Sequence, residues 1–394
     1  MAETLNVNVK AGDILDTFKK IAEQPYEAAK EWKKNTGGRI IGYFPMHFPE
    51  ELIHASGLLP VMLQEGDEPV TEGHAYYYPF FCGYSRSIVD QAAKDQLRFL
   101  DAMLSGDYCI QAIGAGEVLQ VILKKTHHMF FRLVVGNKPW TQADILDALK
   151  ETKRDLEAYT GKEITTEMLR ASIRIYNDNR SLMRKLYKMR SSNLGILSSR
   201  EMLYVIKSSM VMPKEDHTEL LRRLLPTLAE RKQAKDAKDV RVFLSGSLCG
   251  ATKIDILSMI EDSGAVVVGD DLVHGYQYIV TDVVDSEDPM GSIAAYYIQK
   301  NKDKPCSTRN DPESNWPLWL VDQVKSCGAD QLVVLMAKYC EPHMFFYPDI
   351  KEAMEAANIP HILIETEHEV VSLESLRTRV EAFIEIEKAK KERE

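Results

Sequence analysis

Six cysteines, Cys82, Cys109, Cys249, Cys306, Cys327 and Cys340, are the residues of this chain best suited to redox or metal chemistry. None forms a Cys-x-x-Cys pair, which excludes zinc-ribbon and thioredoxin patterns, so any metal site must gather its ligands from distant segments. Six in 394 residues is too few for a disulfide scaffold, which leaves core thiols, metal ligands or catalytic thiols. Cys82 lies in a loop that opens a helix, and Cys340 closely follows a strand. Cys306 follows a proline in a loop, and Cys249 sits in a turn after a strand. Cys109 reads as part of a strand and Cys327 as a helix end, both in the core. One chemistry for the loop thiols is joint ligation of an iron–sulfur cluster, which takes soft thiolate ligands in a water-poor setting. The competing reading is that they are small, buried and inert.

Other chemistry-bearing patterns are sparse. There is no Gly-x-Gly-x-x-Gly fingerprint and no Walker lysine loop. The turn from Ser245 to Gly250 could cradle an anion on backbone N–H groups, or could simply connect a strand to a helix. The ten histidines show no zinc-protease spacing. An aromatic run, Tyr76, Tyr77, Tyr78, Phe80 and Phe81, abuts Cys82. It is either core or the lining of a pocket for a flat apolar substrate, with Tyr77, Tyr78 and Phe81 as the candidate contacts.

These residues need elements to hold them. Residues 11–34 read as an amphipathic helix ended by Gly37-Gly38. Strands are expected at 39–43, 58–63, 107–113 and 129–135, with helices at 50–56, 85–105 and 117–125 between them. Strands alternating with helices imply a parallel, wound sheet. Residues 141–237 change character and read as almost wholly helical. At Val240 the alternation restarts, with strands at 241–244, 265–271, 331–336 and 360–365. The fold class is therefore α/β: two doubly wound parallel-sheet domains with a helical connecting segment. The expected division is an N-terminal helix (1–37), a first α/β domain (38–140), the helical segment (141–237) and a second α/β domain (238–394). Such sheets bind ligands at the carboxyl ends of their strands, near the reversal in strand order.

Composition narrows the setting. With 49 Lys and Arg against 59 Asp and Glu, the formal charge is −10, which argues against a nucleic-acid-binding face. No apolar run approaches the ~20 residues of a membrane helix. Met1 to Lys10 lacks a basic flank followed by an apolar stretch, so the expectation is a cytoplasmic protein without membrane contact.

Several motifs, in this order, resemble the 2-hydroxyacyl-CoA dehydratase and benzoyl-CoA reductase family. They are Gly42-Tyr43-Phe44-Pro45 with Glu50-Glu51-Leu52-Ile53-His54-Ala55-Ser56-Gly57, then Ile175-Tyr176-Asn177-Asp178-Asn179-Arg180. Leu244-Ser245-Gly246-Ser247 and Ala265 to Asp271 follow, and Lys338-Tyr339-Cys340-Glu341-Pro342-His343 and Ile359 to Glu365 close the series. The resemblance covers about residues 38–385. It implies a heterodimer with a related larger subunit, each holding a four-iron, four-sulfur ([4Fe-4S]) cluster on three cysteines. It also implies a separate ATP-hydrolysing activase, fed by reduced ferredoxin, that delivers low-potential electrons one at a time for an acyl-CoA substrate. Dehydratases of the family expel a 2-hydroxyl through a ketyl radical; benzoyl-CoA reductases reduce the aromatic ring. The family ligands fall on Cys82 and Cys340. The middle ligand is a cysteine about eight residues beyond the aspartate of the third strand, and counting from Asp107 lands on Ala115. Cys109 from an adjacent register, Cys306 from another loop, a different binding mode and a missing cluster are the open alternatives. Length and the aromatic run resemble the smaller (gamma or C) benzoyl-CoA reductase subunit. The smaller dehydratase subunit and a non-catalytic assembly subunit are the alternatives, and too few cysteines lie near the middle site for a stand-alone double-cluster reductase.

Overall fold

The structure is a computed structural model and describes residues 10–132, 136, 138–228, 230–231, 239–246, 249–305, 315–369 and 373–393. Helices α1 (Ala11–Glu23) and α2 (Glu27–Thr36) replace the single helix expected at the N-terminus. The break falls at Gln24-Pro25, where proline removes a backbone donor. Gly37, left-handed at φ 68°, closes α2.

The first sheet is four-stranded and wholly parallel, in the order β2-β1-β3-β4. Its strands are β1 (Ile40–Tyr43), β2 (Leu59–Met62), β3 (Ala102–Gly106) and β4 (His127–Phe131). Helices α3 (Glu50–Ala55), α4 (Gly83–Ala93) and α5 (Ile110–Ile122) connect them. Two expectations are corrected here. The helix expected over 85–105 stops at Ala93, and the third strand lies at 102–106, not 107–113. The helix ends in a Schellman turn, with Asp95 left-handed at φ 61° and the amide of Gln96 reaching back to the Gln91 carbonyl at 2.9 Å. Asp tolerates that conformation without the glycine that would have advertised it.

Helices α6 (Thr141–Thr160), α7 (Thr166–Ser192), α8 (Ser199–Ser209) and α9 (Lys214–Leu228) form the helical segment. Thr165 and Ser198 cap α7 and α8 by accepting backbone N–H groups.

The second sheet repeats the first in topology, with parallel order β6-β5-β7-β8. Its elements are β5 (Val240–Gly246), α10 (Ile254–Asp262), β6 (Ala265–Asp270), α11 (Tyr276–Ile279), α12 (Pro289–Asp303), α13 (Trp316–Ser326), β7 (Gln331–Ala337), α14 (Glu341–Ala356), β8 (His361–Thr366) and α15 (Leu373–Lys391). Runs such as Leu332-Val333-Val334-Leu335 are buried throughout, as a sheet covered on both faces requires. Val273, Tyr278, Ile293 and Tyr297, although they follow β6, pack into the core of the first sheet. No helix among the described residues is long and apolar enough to cross a membrane.

Candidate functional site

Four cysteines line one cleft between the two sheets: Cys82, Cys109, Cys249 and Cys340. The cleft measures about 760 Å³ counted out to its open mouth. Its position follows from topology. Cys109 comes just beyond the carboxyl end of β3, Cys249 beyond β5 and Cys340 beyond β7. Strands β5 and β7 are the pair at which the second sheet reverses its order, the usual place for a ligand crevice.

Three of these thiols share a local design. Cys82, Cys109 and Cys340 are the N-cap residues of α4, α5 and α14, and none spends its side chain on capping. Each therefore stands where a helix dipole presents its positive end and unpaired N–H groups, which favours a thiolate or an anionic group. Burial opposes this at Cys82, whose thiol is pushed up to about 11 despite a hydrogen bond to Ser85 Oγ at 3.3 Å. Any metal bound there must displace the thiol proton.

Gln111 fastens the loops together. Its Oε1 accepts the Cys82 N–H at 2.5 Å, and its Nε2 donates to the Tyr339 carbonyl, next to Cys340, at 2.8 Å. Tyr339 holds a left-handed φ of 66° just before its cysteine. A second strut is His368, fully buried, with Nδ1 2.8 Å from Glu65 Oε1 and Nε2 donating to the Glu68 carbonyl at 2.8 Å. Gly83 makes room for it, since a Cβ there would lie 2.5 Å from His368 Cβ. Neither Gln111 nor His368 stands out in the sequence. Gln111 lies two residues after a cysteine, but nothing local marks it as a bridge between domains.

The cysteine assignments divide as follows. Cys82 and Cys340 lie in the cleft as expected of loop thiols. Cys109 is not in a strand, and it is partly buried against the core rather than inside it. It precedes a helix and lines the cleft. The count that lands on Ala115 starts from Asp107, which follows the third strand. Asp101 immediately precedes that strand, and eight residues beyond it stands Cys109, whereas Ala115 is buried inside α5. Cys327 ends α13 away from the cleft, and Cys306 lies outside the described residues. Ser247 and Leu248, in the turn considered for anion binding, also lie outside them. The Gly246 N–H of that turn is committed to Asp271 Oδ1 at 2.9 Å.

The aromatic run splits. Tyr77 is buried, stacks on Phe81 at 4.3 Å and donates its hydroxyl to the Gln111 carbonyl at 2.5 Å. Phe81 is half-buried, and Tyr78 is exposed and stacks on Phe80 at 5.2 Å. None of Tyr77, Tyr78 and Phe81 lines the thiol cleft itself.

Among the described residues no three His, Cys, Asp or Glu side chains converge closely enough to hold a single metal ion. Thiols arranged around the walls of a cleft suit a polynuclear group with one terminal ligand per iron. A buried orphan fits the same group: the Tyr108 hydroxyl is buried, has no hydrogen-bond partner and lies in the electrostatic neighbourhood of Cys249, Cys109 and Cys82. An anionic sulfur group would give that donor an acceptor.

Fold and site together define a two-sheet α/β protein with thiols gathered between its halves. The chain belongs to the family described as 2-hydroxyglutaryl-CoA dehydratase, D-component, whose profile matches residues 45–386. It is 28% identical to the (R)-phenyllactyl-CoA dehydratase beta subunit of Clostridium sporogenes, over 93% of this chain and 97% of that one. It is 25% identical to a benzoyl-CoA reductase subunit of Thauera aromatica, over 91% and 93%. It is 27% identical to the beta subunit of lactoyl-CoA dehydratase of Anaerotignum propionicum, over 95% and 98%.

Proposed function

We propose that this chain is the electron-carrying smaller subunit of an acyl-CoA dehydratase or reductase complex of this family, working in the cytoplasm beside a related larger subunit. The observation that carries the reading is the set of loop thiols on one interdomain cleft, three of them at helix N-termini. Cys82, Cys109 and Cys340 would hold a [4Fe-4S] cluster. That group supplies reversible one-electron transfer at low potential. The chain's own part is to keep its ligands in register through Gln111 and His368, to exclude water with buried rings such as Tyr77 and Tyr84, and to offer donors to the sulfurs. An ATP-hydrolysing activase fed by reduced ferredoxin is the implied upstream source.

The first reading of the reaction is reduction of an aromatic acyl-CoA, as in a benzoyl-CoA reductase. The exposed, stacked Tyr78 and Phe80 near Cys82 support it, as a surface suited to a flat apolar group. The second reading is (R)-2-hydroxyacyl-CoA dehydration, which the names of most of the relatives favour. The test is to purify the chain anaerobically with its partner and supply ATP, a reduced low-potential donor and either benzoyl-CoA or a panel of 2-hydroxyacyl-CoAs. Ring reduction alone selects the reductase, dehydration alone the dehydratase, and a reconstituted chain without iron rejects the cluster assignment.

A further inference from the structure

We propose that Cys249 is a fourth thiolate ligand, so that this chain caps every iron of its cluster and the cluster relays electrons without binding substrate. The inference rests on the reading that Cys82, Cys109 and Cys340 hold such a cluster.

A cubane has four irons, and each takes one terminal ligand beyond its bridging sulfides. Three cysteines leave one corner open to water or substrate, as catalytic metal sites do, whereas four close it, as structural and relay sites do. The same cleft is lined by a fourth thiol, Cys249, from a fourth loop. Its placement is directed. It belongs in sequence to the second sheet, yet it packs against the core of the first sheet, alongside Cys82 and Cys109. It lies within electrostatic reach of the buried phenols of Tyr84 and Tyr108, which Cys82 also reaches. The independent sign of a ligand is the Tyr108 hydroxyl, buried, without an acceptor, and within electrostatic reach of Cys249, Cys109 and Cys82. A phenol donates, and thiolate and sulfide sulfurs accept. Ligation forms one sulfur–iron bond and releases the Cys249 thiol proton to solvent, with no change in electron count. A cluster held by these four thiolates would supply one-electron transfer without a bond to substrate.

The test uses the full-length chain, reconstituted anaerobically with iron and sulfide, as wild type, Cys249→Ala and Cys249→Ser, with Cys327→Ala as control. Each is exposed to a chelator with a mild oxidant. Iron content is followed alongside the electron paramagnetic resonance signal of a three-iron product. The wild type and the control should keep all their iron. Cys249→Ala should lose one iron at least about tenfold faster and show the three-iron signal, the scale expected when a metal site loses a supporting group. Cys249→Ser should retain iron with a shifted midpoint potential and an altered resonance. A wild type that loses one iron as readily as Cys249→Ala overturns the proposal, as does a serine variant with the wild-type potential and spectrum. If the alanine variant does not fold, the serine variant decides alone. Absence of iron from the wild type overturns the cluster reading as well, whereas iron held without regard to residue 249 overturns only the fourth ligand.

Discussion

His217 is fully buried in the helical segment, and its ring is fixed on both sides. Nε2 donates to the Val205 carbonyl at 2.9 Å, and Nδ1 faces the Asn179 amide nitrogen at 2.8 Å. Asn179 is itself oriented, because its Oδ1 accepts from Ser209 and its Nδ2 donates to Thr218. The imidazole is thus held neutral, and burial pushes it down to about 3 from 6.5. Between those values the unfolded chain binds a proton that the folded chain refuses. The contribution of His217 to stability is therefore complete above pH 6.5 and is lost as pH falls toward 3, at about 1.4 kcal/mol per unit. His274, also pushed down to about 3, adds a similar slope. Unfolding free energies from urea titrations should be lower at pH 5 than at pH 7 by about 2 kcal/mol for each of these two histidines, and His217→Gln should remove its share. An unchanged slope in that variant would contradict the assignment. At this same scale Cys82 and Cys340 are legible in the sequence because loop thiols beside recognisable helix starts and strand ends announce themselves. Gln111 and Tyr108 are not, since their roles exist only once two sheets face each other.

At the scale of elements, Lys214 at the start of α9 joins three pieces of the fold. Its ammonium donates to the Tyr278 hydroxyl of α11 at 2.7 Å and to the Ser209 carbonyl at 2.6 Å, and lies 3.5 Å from Glu50 of α3. Glu50 in turn accepts from Tyr278 at 2.8 Å. Nearby, Arg180 of α7 pairs with Glu51 at 2.7 Å, with both side chains nearly inaccessible. The Glu50-Glu51 and Tyr176–Arg180 motifs thus bind the first sheet to the helical segment. Lys214→Met leaves the Glu50 carboxylate buried without its cation and should destabilise by about 3 kcal/mol. Adding Glu50→Leu should restore much of the loss, as a double-mutant cycle in urea would measure; a double mutant worse than the sum of the single ones would refute the pairing. Elements also explain why the region around Cys109 is hard to read. Five buried residues, Ala102 to Gly106, carry no periodicity that separates strand from helix. With the helix stop hidden in Asp95, the sequence pattern merges this strand into the preceding helix and makes the apolar start of α5 look like the strand. The second sheet is easier, because its longer β-branched runs end at glycines or turns.

For the molecule as a whole, the thiol loops and the helices they start also carry exposed apolar side chains. Tyr78 and Phe80 precede Cys82, Ile110 follows Cys109, and Met344 and Phe345 ride the first turns of α14. Phe345 is 80% exposed. Large apolar groups left in water around a site suit coverage by another protein. Phe345→Asp should change the stability of the isolated chain by less than about 0.5 kcal/mol. It should weaken association with the partner subunit by about tenfold or more if this side chain is an anchor of the interface. Denaturation of the chain alone and titration calorimetry of the pair would read the two effects, and unaltered association would place the interface elsewhere.

The duplicated strand order has a mechanical meaning. Each half brings thiols to the same crevice, and Gln111 and His368 cross between the halves on either side of it. Hinge bending between the halves must therefore break hydrogen bonds first, and with a metal group in place must also stretch ligand bonds. The proposed cluster, mounted on such a joint, would change its bond lengths little when its charge changes. Little nuclear rearrangement then accompanies each electron, which lets transfer stay fast even when the driving force is small.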